Sequence, residues 1–167
     1  MKKVIFIAIL TLMIFNVSAQ RKMYIWKPKV EEYAKSNVLK DVQINVKIVD
    51  LRVIAPGSEI EATFEQISDA IIQSLKKTYG NAFINEKSEK TVTVELMDYS
   101  SSFYTGMWVA QTKYVVKYGD VKEEIEQSNQ SFNTLGKSNG KKVLNKSFTG
   151  TNMKLFGLLN NIFRTDK

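Results

Sequence analysis

The feature that most constrains this chain is a two-residue break, Gly119-Asp120, set between two alternating stretches. Glycine in the first position marks a type II′ hairpin turn, whose twist suits two antiparallel strands. Pairing Tyr118 with Val121 puts Tyr114 opposite Ile125 and Lys113 opposite Glu126. One face of the hairpin then carries Trp108, Ala110, Tyr114, Val116 and Tyr118, and the other carries charge of both signs. Lys117 faces Lys122 in this register, a mildly unfavourable pair. A one-residue slip would send every apolar side chain to the wet face, so the pattern fixes both the strands and their alignment.

Two further stretches alternate. Residues 42–48 do so cleanly, and residues 49–54 continue the strand until Ala55-Pro56-Gly57-Ser58 stops it. Residues 91–99 place Val92, Val94 and Leu96 on one side, hence Met97 and Tyr99 on the other. Residues 100–106 read as a link. Between these strands, residues 63–79 form the clearest helix. Thr63 and Gln66 have capping-box spacing, Phe64, Ile67, Ile71, Leu75 and Tyr79 make one apolar stripe, and Gly80 ends it. A last helix begins at Thr151 or Asn152, with Met153, Phe156, Leu159, Ile162 and Phe163 on one stripe. The order β-α-β-β-β-α predicts a single α+β domain, with two helices packed on one face of a mostly antiparallel four-stranded sheet. Ile71, Leu75, Val94, Tyr114, Phe156 and Leu159 should meet in its core.

The first nineteen residues read as an address. Lys2 and Lys3 precede twelve almost wholly apolar residues, 4–15, and Val17-Ser18-Ala19 offers small residues for cleavage before Gln20. The apolar run falls short of the roughly 20 residues that a span needs, and no later stretch reaches it either. The expectation is an exported protein, periplasmic or extracellular, cut after Ala19, with an N-terminal arm at 20–40 and the domain at 41–167. Pro28 limits helix in the arm, although residues 29–35 could make about two turns, and the arm's aromatics should dock on the domain. The chain has neither cysteine nor histidine, which removes disulfides, thiol nucleophiles, histidine bases and the usual zinc ligands. Its net charge is +7, and the lysines concentrate between Lys137 and Lys146, where no acid interrupts them. Such a balance suits an anionic envelope polymer or headgroup surface, and no nucleic-acid motif is present.

The element order and several strings resemble the YajG-like family of periplasmic and outer-membrane lipoproteins. The strings are Val46-Lys47-Ile48-Val49-Asp50-Leu51-Arg52, Thr93-Val94-Glu95-Leu96-Met97-Asp98-Tyr99, Thr112-Lys113-Tyr114 and the closing apolar helix. The resemblance implies a small α/β envelope domain. Members carry a lipobox cysteine and this chain has none, so a lipid anchor is not implied.

Little in the sequence points to catalysis. Asp50 and Arg52 share a strand face and read best as an ion pair closing the strand end. Asp98 falls by alternation on the apolar side, where a carboxylate needs a partner; a strand that ends or bulges before it removes the conflict. No phosphate loop or nucleophile elbow is present, and no cofactor or metal is implied. The expected function is a non-enzymatic binding or assembly module for an envelope protein or polymer, with self-association included. The alternative is a carboxylate-based hydrolase of cell-wall glycan. Met97, Tyr99, Phe103, Tyr104 and Met107 are the candidate partner-binding residues, forming an apolar patch unless the arm covers it.

Overall fold

The computed structural model describes residues 24–33, 39, 41–53, 60–132 and 136–165. The leader, the stop at Ala55-Pro56-Gly57-Ser58 and Leu135 lie outside the described residues. The elements run β1 (Tyr24–Ile25), β2 (Asn45–Asp50), β3 (Ile60–Glu61), α1 (Phe64–Tyr79), a 3-10 turn at Asn81–Phe83, β4 (Thr91–Tyr104), β5 (Met107–Tyr118), β6 (Val121–Phe132) and α2 (Lys137–Thr165). Four strands of six residues or more, with the two-residue β1 and β3, make one mixed sheet with both helices on one face, a single α+β domain.

The β5–β6 register is the one the turn dictates: Tyr118 lies opposite Val121, Tyr114 opposite Ile125, Lys113 opposite Glu126 and Lys117 opposite Lys122. Gly119 takes φ 53, as the first position of a II′ turn requires. β2 runs parallel to β4 from Asn45↔Thr91 to Asp50↔Leu96, with α1 in the crossover between them.

Residues 100–106 are no link. β4 continues to Tyr104 and turns at Thr105 (φ 46) and Gly106 (φ 80), two left-handed residues in a row, the mark of a type I′ hairpin. A threonine pays strain for this conformation, which is why the turn does not announce itself.

Within β4 the pairing with β5 shifts between Leu96 and Asp98, leaving Met97 as the extra residue of a β-bulge. Before the bulge Val92, Val94 and Leu96 are buried; after it Tyr99 and Ser101 are. The alternation changes phase at Met97. Asp98 is thereby moved off the helix-facing side, and Tyr99 is moved onto it.

α1 starts as its sequence requires. The Gln66 amide donates to Thr63 Oγ1 at 3.3 Å, and the Thr63 amide to Gln66 Oε1 at 3.2 Å. α2 starts about four turns earlier than its apolar stripe predicts. Thr151 and Asn152 are not caps but buried mid-helix residues: Thr151 Oγ1 donates to the Thr112 carbonyl at 3.0 Å, and Asn152 Oδ1 accepts from the Tyr114 hydroxyl at 3.1 Å. The glycines, serines and asparagines of 137–150 are poor helix formers in isolation. Here they let the helix settle close to the sheet. Ser101 Oγ donates to Gly140 O, Ser147 Oγ to Gln127 O, and a Cβ on Gly150 would come within 2.7 Å of Gln127 Cγ. Packing overrides propensity.

The core forms as expected around Ile71, Leu75, Val94, Tyr114, Phe156 and Leu159, all buried. The arm joins it. Residues 26–33 form neither helix nor strand and lie on the helix side. The Glu31 amide donates to Ser74 Oγ and the Tyr33 amide to Thr78 Oγ1, both on α1, while the Tyr33 ring packs 4.5 Å from Phe156 of α2. Pro28, buried, has no N–H to satisfy at the entrance.

Candidate functional site

Both helices and the described arm occupy one side of the sheet, so among the described residues nothing covers the other side, the bare face. Register decides what stands on it. Tyr104, Met107 and Phe132 lie directly opposite one another on β4, β5 and β6, and Val109 follows Met107 two residues on. Directly opposed residues point to the same face, so these four make an apolar row at the hairpin end. Tyr104 is 71% exposed and Phe132 72%. Farther along the face the row gives way to charge. Lys113 bonds Glu124 at 2.7 Å, one step diagonal to Glu126, its register partner. Lys117 pairs with Glu95 across β4, which relieves its position opposite Lys122. Val115, between the two lysines, is buried although it lies on the bare face, which long charged side chains can achieve with their methylene stems.

The five sequence-selected residues divide. Tyr104 and Met107 meet on the bare face. Tyr99 does not: it is 2% exposed, edge-on to Phe148 of α2 at 5.8 Å, with its hydroxyl donating to the Trp26 carbonyl at 3.5 Å. This corrects its assignment to the patch, and the cause is the phase change at Met97. Phe103, shifted by the same bulge, lies on the helix-facing side and packs on Trp108 at 5.4 Å. Met97 sits half-buried in the bulge itself. Phe132 completes the row and is not among the five; carrying the β6 register seven more pairs from Tyr114–Ile125, to Met107, places it. The described part of the arm does not cover the row.

The titratable residues follow their surroundings. Hydrogen bonds from Arg52 hold the Asp50 carboxyl below the usual range. The guanidinium grips both carboxylate oxygens at 2.8 Å and donates a third bond to Ala62 O at 2.8 Å, so the pair ties the end of β2 to the residue after β3. That is the strand-end clamp the spacing suggests. Burial raises Asp98 above the usual carboxylate range, against the opposing effects of Ser100, the Tyr99 amide, Arg52 and Lys113. Lys113 is pushed up by its hydrogen bond to Glu124. Among the described residues no group of three or more carboxylates could hold a metal ion. Among them, too, no helix is long and apolar enough to cross a membrane.

No protein-family model matches this chain, and no curated protein matches it. A solved structure described as the crystal structure of an uncharacterized protein is similar over 80% of this chain and 96% of its own, with 13% identity and a TM-score of 0.45.

Proposed function

We propose that this chain is an exported, non-enzymatic binding module of the cell envelope that receives a protein partner on the bare face of its sheet. The observation that carries this reading is the row Tyr104–Met107–Phe132, two exposed aromatic side chains flanking a half-buried methionine beside a band of paired charges. Interface cores favour those residue types, and charge belongs at their rim. The leader pattern of residues 1–19 and the YajG-like strings support the compartment.

The hydrolase alternative leans on Asp98, whose proton is held more tightly than usual. Lys113 stands between Asp98 and Glu126 in the register, where an acid–base pair would need open space for a sugar ring. The binding reading is therefore preferred.

A photo-reactive side chain at Tyr104 or Phe132 tests it in the intact envelope. The expected result is a discrete protein adduct, of twice the chain mass if the partner is a second copy, with none from the same probe at the exposed Glu65 of α1. Identical adducts from both positions would count against a specific face. Soluble sugar released from purified cell wall would support the hydrolase instead.

A further inference from the structure

On the opposite side of the sheet from the bare face, the arm and α2 enclose a groove of about 600 Å³, within the size range of small-ligand sites. Lys29 of the arm and Lys141, Lys142 and Lys146 of α2 line it, the last three on one helical face at i, i+1 and i+5. Glu31 is the acid among the lining residues, and its carboxylate already accepts the Thr149 hydroxyl at 3.1 Å. Among the described residues none of the four lysines has a carboxylate within ion-pair distance. The Lys141 ammonium lies 4.5 Å over the Trp26 ring, which fixes that ring as a wall of the groove. Positive charge gathered in a concavity focuses its field and draws anions.

A second observation adds to the charge. Trp26 Nε1 and Asn145 Oδ1 both belong to lining residues, and both are buried without a hydrogen-bond partner. Unmet buried polar atoms cost free energy; both are sealed from the groove as it stands, and an occupant recovers that cost where either side chain turns toward it. One is a donor and the other an acceptor, and a hydroxyl serves either. Lysines act as separate point charges, suited to phosphates spaced along a chain, whereas a lone carboxylate is better held by an arginine fork.

We propose that this groove binds a phosphate-bearing polyol chain, of the poly(glycerol phosphate) kind, as found in an envelope polymer. A concave site between arm and helix fits one strand of such a polymer better than a flat bilayer. The site is separate from the protein-docking face, and its affinity in solution does not depend on that face or on export.

The test titrates the purified protein at low salt with a synthetic poly(glycerol phosphate) oligomer, reading tryptophan fluorescence and heat. Phosphatidylglycerol vesicles and inorganic phosphate serve as parallel probes. The proposal expects saturable oligomer binding that weakens as salt is added. Lys142→Gln with Lys146→Gln should lower that affinity about tenfold or more, the scale for two lysines beside an anionic array. Lys77→Gln with Lys122→Gln, an equal charge change outside the groove, should leave it near the parent value. If the groove pair lowers the melting temperature, Lys29→Gln on the arm carries the same comparison. Absence of saturable binding overturns the proposal. So does an equal loss in both pairs, which would reduce the effect to net charge. Binding to the vesicles without binding to the oligomer also overturns it, in favour of a headgroup surface.

Discussion

The two faces of this sheet are made by the same three long strands, yet they solve the burial problem in different ways. On the helix side Val92, Val94, Leu96, Tyr99, Ala110, Tyr114 and Val116 are sealed beneath α1, α2 and the arm. On the bare side Val115 sinks between Lys113 and Lys117, while Tyr104 and Phe132 stay in water. Alternation along a strand sorts residues between faces, but it does not choose which face each half of a strand presents. A single inserted residue does that. Met97 reverses the phase of β4, so that Tyr99 is core and Tyr104 is surface, although unbroken alternation from Leu96 would give the reverse.

Removing the bulge breaks the comparison most severely. Deleting Met97 would carry residues 98–104 to the opposite face, burying Asp98 and expelling Tyr99. The loss should exceed about 4 kcal/mol, the range reached only by gross core disruption. Chemical denaturation checks it; a loss under about 1 kcal/mol would mean that the two halves of β4 do not share one core.

Next in size are truncations beneath the helices. Leu75→Ala on α1 and Leu159→Ala on α2 should each cost about 2 to 5 kcal/mol, as buried leucines do. If both cost less than about 1 kcal/mol, the helical stripes do not face the sheet.

The smallest effect at neutral pH sharpens the picture of the arm. Burial pushes the Tyr33 hydroxyl up to about 12, with Asn152 and Thr149 beside it partly opposing this. The folded chain then keeps a proton that the unfolded chain releases near pH 10, so stability falls as pH rises past 10. That hydroxyl has no hydrogen-bond partner of good geometry, so Tyr33→Phe should change little at pH 7 and flatten the fall above pH 10. An unaltered alkaline profile would mean that the arm lets Tyr33 reach water.

Legibility in the sequence tracked how local the deciding interactions are. α1 could be read because its cap, stripe and glycine stop all lie within the helix. The β5–β6 hairpin could be read because its turn sets its register. The first half of α2 could not, since Gly140, Ser147 and Gly150 gain their place only against Ser101, Gln127 and Thr112 on strands distant in sequence. The candidate patch was half legible for the same reason. Tyr104 and Met107 flank a turn and stay together, whereas Tyr99 depended on a bulge whose one sequence sign was a carboxylate in the wrong phase. The lysine groove had a clear signal in the run from Lys137 to Lys146, but its other wall comes from an arm more than a hundred residues earlier.

The claim on which the rest depends is that Tyr99 and Tyr104, one residue type in one strand, lie on opposite faces. Equilibrium unfolding of Tyr99→Ser and Tyr104→Ser tests it directly. The fold described here predicts a cost of about 3 to 5 kcal/mol for Tyr99→Ser, as for other buried aromatics. It predicts a change within about 0.5 kcal/mol for Tyr104→Ser, as for a surface site. Equal costs for the two, or the larger cost at Tyr104, would contradict it.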